Sequence, residues 1–287
     1  MKKFRFFTFI FLIIFSKYGY SSEIKQTTFA FWDKPDVELF YLSPQNINKD
    51  TEVLFVIHGN SRNAKDYLKK WSSLIENKNI IVVAPLFTKE SYRYFFLLEF
   101  AGSSGKVNNN SGDYLDNSIS LFFNFFKNKF SLSNNTYKMY GHSAGAQFVH
   151  RYMLLSNDYR ISNTVIANAG WYTFLNGSKF PYGIKDTPIN ISSERVRWFM
   201  SSKTNLLIGG SDTGLQSLNT SKGAMRQGNN RLERANNYFS SLILSGEENK
   251  IPFRWNFHLI KDVAHSNAEM TPAAAKILLA GVENIKL

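Results

Sequence analysis

The sequence of 287 residues contains no cysteine. Disulfides, thiolate metal ligands, a cysteine nucleophile and a lipid-modified cysteine are therefore excluded. Long basic runs are also missing: no Lys/Arg run exceeds two residues and no nucleic-acid-binding motif is present, so we expect no nucleic-acid partner. The sequence has no internal repeat, linker or low-complexity tract. These absences predict a single domain that folds around one core without covalent cross-links.

Long apolar runs are missing as well. The most apolar run, Phe6–Phe15, has ten residues including one threonine, and three basic residues precede it. A helix needs about 20 residues to cross a bilayer, so this run is too short to be an anchor. Small residues follow it, and the whole pattern predicts a cleaved signal peptide over residues 1–22 and a mature domain over 23–287. We expect a secreted or periplasmic bacterial protein with no stable membrane insertion after cleavage.

The chain is basic, with a formal net charge of +12, of which the predicted leader contributes four. A basic surface can hold anionic ligands by general electrostatics. Because the positive charges are scattered, a solvated basic face is the simpler interpretation. The share of charged residues, 20%, is that of an ordinary globular protein, and it places no further limit on function.

Two alternating segments, 27–32 and 37–42, flank turn residues and predict an antiparallel hairpin. Short apolar runs that follow predict parallel strands buried on both faces: 53–57, 80–83, 137–140, 164–167, 205–208 and 257–260. Between them, apolar residues at helical spacing predict helices over 64–76, 114–126, 144–155, 231–244 and 273–285. The fold class is therefore α/β, with a mostly parallel central sheet, helices on both faces and an antiparallel N-terminal hairpin.

Two long segments, Pro85–Gly112 and Trp171–Ser202, carry no regular pattern. Segments of this length between strands are often substrate-binding loops or lids. Both are rich in aromatic residues, which predict either an acyl or aromatic pocket or the internal core of two caps. The sequence favours neither.

Gly141-His142-Ser143-Ala144-Gly145 matches the pattern G-x-S-x-G. A predicted strand precedes it and a predicted helix follows it, which is the setting of a nucleophile elbow. The two glycines would remove side chains that collide with the neighbouring strand and helix in so tight a turn. We predict that Ser143 is a nucleophile and that the backbone N–H of Ala144 is an oxyanion donor. The alternative is a glycine-flanked turn with a buried serine.

A serine hydroxyl needs a histidine to accept its proton, and in this setting the acid and then the histidine follow Ser143 in the chain. Three histidines lie downstream. His150 falls inside a predicted helix and His258 inside a predicted strand, so neither suits a base. His265 follows the last strand, at the carboxyl edge where α/β sheets bind ligands. We predict His265 as the base.

The acid is predicted at Asp212, which follows the strand 205–208 after a Gly-Gly-Ser turn, again at the carboxyl edge of the sheet. The alternatives are Asp186, inside a lid segment, and Asp262, which is too close in sequence to His265 to reach its far nitrogen easily. A solvated loop aspartate is the remaining interpretation of Asp212.

The second oxyanion donor is expected from the loop after strand 53–57, because a backbone N–H from this loop pairs with the one that follows the nucleophile. We assign it to Asn60, with its neighbour Ser61 as the alternative. Each such donor is worth roughly 3 kcal/mol in a preorganised site. His58, in the same loop, precedes Ser143 in the chain and is expected to be structural.

These motifs together resemble the α/β-hydrolase superfamily, in particular its bacterial esterase and polyhydroxybutyrate-depolymerase-like branch. The resemblance rests on four stretches: 58–64 with Tyr67, 141–145, 210–213 and 264–266. It implies a triad of Ser143, Asp212 and His265 with Asn60 and Ala144 as oxyanion donors. The stretch 227–234 also resembles this branch, without an evident role. Unlike secreted depolymerases, the chain lacks cysteine pairs and a separate polymer-binding domain.

The predicted function is that of an exported serine hydrolase that cleaves carboxylic esters through a triad and an acyl-enzyme intermediate. A peptidase or amidase on the same triad is one alternative, and a non-catalytic binding protein with a relict triad is another. The expected substrate is a small-molecule ester or a lipid or polymer ester. No metal or organic cofactor is implied, since triad chemistry needs none. No oligomeric state is predicted.

Overall fold

The structure of the protein is a computed structural model that describes residues 23–102 and 104–282. The predicted signal peptide, residues 1–22, lies outside the described residues, and so does the end of the predicted last helix. Among the helices of the described part, none is long and apolar enough to cross a membrane.

The described residues form strands that we label in chain order: β1 (Lys25–Phe29), β2 (Val37–Leu42), β3 (Glu52–Ile57), β4 (Ile80–Leu86), β5 (Tyr137–His142), β6 (Ile161–Ala167), β7 (Phe174–Lys179), β8 (Gly183–Lys185), β9 (Thr204–Gly209) and β10 (Trp255–Ile260). An eight-stranded sheet has the order β1-β2-β4-β3-β5-β6-β9-β10. β7 and β8 form a separate two-stranded sheet. β2 is antiparallel to both of its neighbours, and the pairs from β4 to β10 are parallel. The predicted fold class is confirmed.

The central parallel strands are apolar on both faces, because both faces of the sheet are covered. Residues Val53–Ile57 of β3 have no exposed surface at all. Such strands can be covered on both sides only when the connections between them run over the faces of the sheet, as crossover helices do. Right-handed crossovers then place the helices in two layers.

The helices are α1 (Ala64–Trp71), α2 (Ser118–Phe130), α3 (Ala144–Leu155), α4 (Ser193–Ser201), α5 (Lys222–Met225), α6 (Arg231–Asn249) and α7 (Asn267–Leu278). Buried residues of α1 and α7 share one apolar cluster with one face of the sheet. Buried residues of α2, α3, α4 and α6 belong to a second, larger cluster on the other face. The sheet therefore separates two cores.

The prediction of an irregular segment over 171–202 is wrong, since this segment contains β7, β8 and α4. β7 is hard to recognise because its residues are half-buried or exposed, so neither an apolar run nor a clear alternation marks it. α4 is short, and its buried face includes the charged residue Arg195. In the other predicted irregular segment, 85–112, the first two residues belong to β4, and short 3-10 turns occur at Phe95–Leu97 and Ser111–Asp113.

Several predicted boundaries are shifted. α7 begins at Asn267 instead of residue 273, because Ser266 caps the helix by accepting a hydrogen bond from the Glu269 N–H. α2 begins at Ser118, four residues later than predicted, and α6 continues to Asn249. β1 ends at Phe29, before the end of the alternating pattern.

The parallel strands bring four chain segments to one edge of the sheet. The loop with Asn60 follows β3, the turn with Ser143 follows β5, the turn with Asp212 follows β9, and the loop with His265 follows β10. Carboxyl ends of parallel strands share an edge, so residues far apart in sequence meet there.

Candidate active site

The turn after β5 holds Ser143 in a strained conformation, with φ 57° and ψ −117°. A residue with a side chain rarely adopts a positive φ, and such strain is concentrated at functional sites. The flanking glycines make the turn possible. A Cβ at Gly141 would lie 2.3 Å from the Gly145 carbonyl oxygen, and a Cβ at Gly145 would lie 2.1 Å from the Ile57 carbonyl oxygen. No other residue type fits at either position without movement of the backbone.

Ser143, His265 and Asp212 form a continuous hydrogen-bonded chain. The His265 Nε2 atom lies 2.9 Å from the Ser143 Oγ, and the His265 Nδ1 lies 2.8 Å from the Asp212 Oδ2. An ionised carboxylate can only accept, so Nδ1 carries the proton and donates it to Asp212. The lone pair of Nε2 is then free to accept the Ser143 hydroxyl. This arrangement can remove a proton from the hydroxyl as its oxygen attacks an electrophile.

Asp212 is held from its other side by Arg231, which lies in the stretch 227–234 that the resemblance singled out without a role. The Arg231 Nη1 lies 3.3 Å from the Asp212 Oδ1, and the same guanidinium donates to the carbonyl oxygens of Gly214 and Gln216. Arg231 is the first residue of α6. A basic residue at a helix start is usually on the surface, so the sequence carries no signal for this burial.

The alternative acids lie elsewhere. Asp262 is exposed and forms an ion pair with its neighbour Lys261, with 4.0 Å between the charged atoms. Asp186 is exposed in the turn after β8. The structure therefore brings only Asp212, of the three candidate acids, into contact with His265.

The other histidines have structural partners. His150 is buried in α3, where its Nδ1 donates to the Ala146 carbonyl oxygen and its Nε2 accepts the Thr173 N–H. His58 is buried as well: its Nδ1 donates to the Gly59 carbonyl oxygen and its Nε2 accepts the Phe87 N–H. Burial lowers the pKa of His58 to about 4, so the ring is neutral at neutral pH. His258 lies on β10 and hydrogen-bonds Asn205.

A cavity of about 410 Å³ opens beside Ser143. Its wall includes Asn60 and Ala144, the two expected oxyanion donors, but not Ser61. Ala144 is the first residue of α3, and the N–H groups of a helix start have no partner within the helix. They can therefore bind a negatively charged oxygen.

The aromatic residues of the two long segments are divided between the cavity and the core. Phe96, Trp171 and Tyr182 line the cavity. Tyr92, Phe95, Tyr172, Phe180 and Phe199 are part of the larger apolar cluster, and Trp171 belongs to both the cavity wall and this cluster. The core interpretation is confirmed for part of these residues, and the pocket interpretation stays a prediction for those that line the cavity.

The stretch 227–234, without a role at the level of sequence, holds the cavity wall in place. The Gln227 side chain bonds both the N–H and the carbonyl oxygen of Tyr172. Arg234 donates to the carbonyl oxygens of Gly170 and Asn219, which line the cavity. Asn230 caps α6. Together with Arg231, this stretch fixes both the candidate acid and the segments around it.

Residues that could hold a metal do not gather anywhere in 23–102 or 104–282: no group of three or more His, Asp or Glu side chains has a suitable arrangement.

Comparison with solved structures finds proteins of similar fold. Poly(aspartic acid) hydrolase-1 from Sphingomonas sp. KT-1 is 30% identical, with a TM-score of 0.82 and coverage of 89% of this chain and 98% of that chain. A poly(3-hydroxybutyrate) depolymerase from Bordetella parapertussis is 22% identical, with a TM-score of 0.81 and 92% of each chain covered. A fluorophosphonate-binding serine hydrolase from Staphylococcus aureus is 15% identical, with a TM-score of 0.55, and 93% of this chain and 99% of that chain are covered. No family model and no curated protein matches the sequence.

The chain has the α/β-hydrolase fold and belongs to the same family as the poly(aspartic acid) hydrolase, whereas the likeness to the poly(3-hydroxybutyrate) depolymerase is one of fold. The chain is a hydrolase. The resemblance inferred from the motifs is confirmed.

Proposed function

We propose that the protein cleaves carboxylic esters through a triad of Ser143, His265 and Asp212. The observation that carries the proposal is the hydrogen bond of 2.9 Å between the Ser143 Oγ and the His265 Nε2, continued by the bond of 2.8 Å to Asp212. A neutral imidazole in this position is a general base, and the carboxylate stabilises the imidazolium that forms when the imidazole accepts the proton.

In the first half of the reaction, the Ser143 oxygen attacks the ester carbonyl carbon while its proton passes to His265 Nε2. The carbonyl oxygen becomes negative, and the N–H groups of Asn60 and Ala144 are proposed to stabilise it. Collapse of this intermediate breaks the bond to the alcohol, which leaves with the proton from His265. An acyl group then remains on Ser143.

In the second half, a water molecule gives a proton to His265 and its oxygen attacks the acyl carbon. The carboxylic acid is released and the Ser143 hydroxyl is restored.

The cavity of about 410 Å³ is at the smaller end of ligand pockets, which favours short acyl groups. We further propose that residues 1–22 direct export and that 23–287 form the mature hydrolase domain.

Amide hydrolysis is a second candidate. Its support is the poly(aspartic acid) hydrolase, 30% identical to this chain, since poly(aspartic acid) is chemically a polyamide. The same triad can attack an amide, although an amine is a poorer leaving group than an alcohol. A nitrophenyl ester and a nitroanilide of the same acyl group separate the two candidates, because only the bond to be broken differs.

The decisive test is a series of nitrophenyl esters from acetate to decanoate, run with the wild type and with Ser143→Ala. We expect hydrolysis that is fastest for the short chains and is lost in Ser143→Ala. A nitroanilide hydrolysed with a larger kcat/KM than its matched ester would favour the amidase instead. Ester hydrolysis that survives in Ser143→Ala would reject the proposed nucleophile.

A further inference from the structure

The Tyr67 hydroxyl lies behind the candidate site, between the chain segments that carry its two oxyanion donors. Tyr67 belongs to α1 and is 5% exposed. Its oxygen lies 3.2 Å from the Nδ1 of His142, the residue before Ser143. This contact joins α1 to the end of β5, across 75 residues of sequence.

The same hydroxyl contacts Gly59, the residue before Asn60. A Cβ at Gly59 would lie 2.8 Å from the Tyr67 oxygen and 3.7 Å from the Ser143 Cβ, so the two loops meet here with no space for a side chain. Burial raises the pKa of Tyr67, so its hydroxyl keeps the proton at neutral pH. The Tyr67 proton is therefore free to be donated to His142.

His142 in turn lies against the candidate base. The ring centroids of His142 and His265 are 4.9 Å apart, with 39° between the ring planes. Burial, followed by the proximity of His265 and Arg231, holds the pKa of His142 well below its usual range. A neutral His142 accepts at Nδ1, which matches the donated Tyr67 proton.

We propose that Tyr67 is a positioning residue that links the loop of Asn60 to the turn of Ser143 and sets the spacing of the two oxyanion donors. The inference rests on the proposed function of Ser143. Tyr67 touches no reacting atom and lies outside the cavity wall. It acts through Gly59 on one donor, and through His142 on both the nucleophile turn and the base.

Loss of the Tyr67 hydroxyl should affect the stability of the transition state more than the binding of substrate. A displaced oxyanion donor weakens the stabilisation of the negative oxygen, which exists only after attack by the nucleophile. Loss of the Tyr67 hydroxyl should therefore lower kcat and leave KM almost unchanged. The expected loss of kcat is about tenfold, less than for the removal of a donor, because both donors remain present.

The test compares Tyr67→Phe with Tyr152→Phe on a short-chain nitrophenyl ester. Tyr152 is a matched control, since it is also buried and its hydroxyl accepts a backbone N–H, that of Ser120, at 2.9 Å. Both variants should lose a similar amount of thermal stability. Only Tyr67→Phe should lose kcat, and its affinity for an alkyl boronic acid, which forms a tetrahedral adduct on the serine, should weaken by the same factor.

A second pair of variants tests the contact between Tyr67 and His142 by changing His142. In His142→Gln the side-chain oxygen can still accept the Tyr67 proton, whereas His142→Met has nearly the same shape without a strong acceptor. We expect the Gln variant to keep a kcat severalfold higher than the Met variant. Equal kcat values in the two variants would overturn the inference.

The inference and the proposed function fail in different ways. If Ser143→Ala abolishes hydrolysis but Tyr67→Phe keeps the kcat and boronic acid affinity of the wild type, the positioning role is wrong and the proposed nucleophile stands. If Ser143→Ala remains active, the proposed function fails, and the role of Tyr67 fails with it.

Discussion

The Arg231 Nη1 lies 3.3 Å from the Asp212 Oδ1, and the two side chains are only 3% and 1% exposed. The pair is thus largely removed from water. Removal of one partner from a buried pair leaves the other charge without compensation, at a cost of about 3–5 kcal/mol. This relationship makes Arg231 a structural partner of Asp212.

Replacement of Arg231 by methionine should therefore destabilise the protein strongly. The expected decrease in the free energy of unfolding is about 3 kcal/mol, measured by urea denaturation, together with a large decrease in kcat/KM. Arg226→Met is the matched control, since Arg226 is exposed nearby on the same stretch of chain. A stability loss of the same size in both variants would contradict the importance of the buried pair.

Replacement of Asp212 by asparagine should lower kcat by about 10⁴-fold, as expected when the histidine loses its orienting carboxylate, and it should also destabilise the fold because the buried Arg231 loses its counter-charge. Steady-state kinetics with a nitrophenyl ester measure this change. Asp262→Asn, at the exposed alternative acid, should retain the wild-type kcat. The assignment of the acid would be reversed if Asp262→Asn were the inactive variant.

Gly145 lies so close to neighbouring backbone atoms that we expect this position to accept no side chain. An alanine Cβ would lie 2.1 Å from the Ile57 carbonyl oxygen and 2.7 Å from that of His58, so helix α3 must move away from β3. We expect Gly145→Ala to lose more than about 1 kcal/mol of stability by overpacking and most of its activity. Gly177→Ala, where an added Cβ meets nothing within 4 Å, is the control. Unchanged urea denaturation and kinetics in Gly145→Ala would show that the turn tolerates a side chain.

The buried histidines predict that stability falls in acid. Burial lowers the pKa of His58 to about 4, whereas the unfolded value is about 6.5. Between these values the unfolded chain binds a proton that the folded protein does not, so the free energy of unfolding decreases as pH falls from about 6.5 to about 4. Burial lowers the pKa of His142 and His150 in the same direction. Burial raises the pKa of Glu99 to about 7. This one group therefore stabilises the folded protein as pH falls, which opposes the effect of the three histidines.

Urea denaturation between pH 7 and pH 5 measures this slope. Each histidine contributes at most about 1.4 kcal/mol per pH unit. His58→Gln, which cannot titrate, should flatten the slope, whereas His258→Gln on the less buried β10 should change it little. Parallel slopes for wild type and His58→Gln would contradict the burial argument.

Much of the site is predictable because its signals are local. Ser143 lies in a short motif with a strand before it and a helix after it. His265 and Asp212 follow from chain order and from their positions just after strands. These three residues are required to lie at one sheet edge, and the structure places them there, within hydrogen-bonding distance.

The contacts that hold the site are not predictable in this way. Arg231 and Tyr67 lie in stretches that the family resemblance singled out, but their roles depend on partners that lie 19 and 75 residues away in sequence. β7 also lacks a local signal, because its faces are mostly solvated. Such features depend on tertiary packing, which periodicity and motif spacing do not encode.

The most direct test of the central claim is the stoichiometric reaction of the purified protein with a fluorophosphonate, followed by peptide mass spectrometry. We predict one label per chain, on the peptide that contains Ser143, with loss of esterase activity in proportion to labelling and no label on Ser143→Ala. A label on another residue, or esterase activity that survives full labelling of Ser143, would contradict the account.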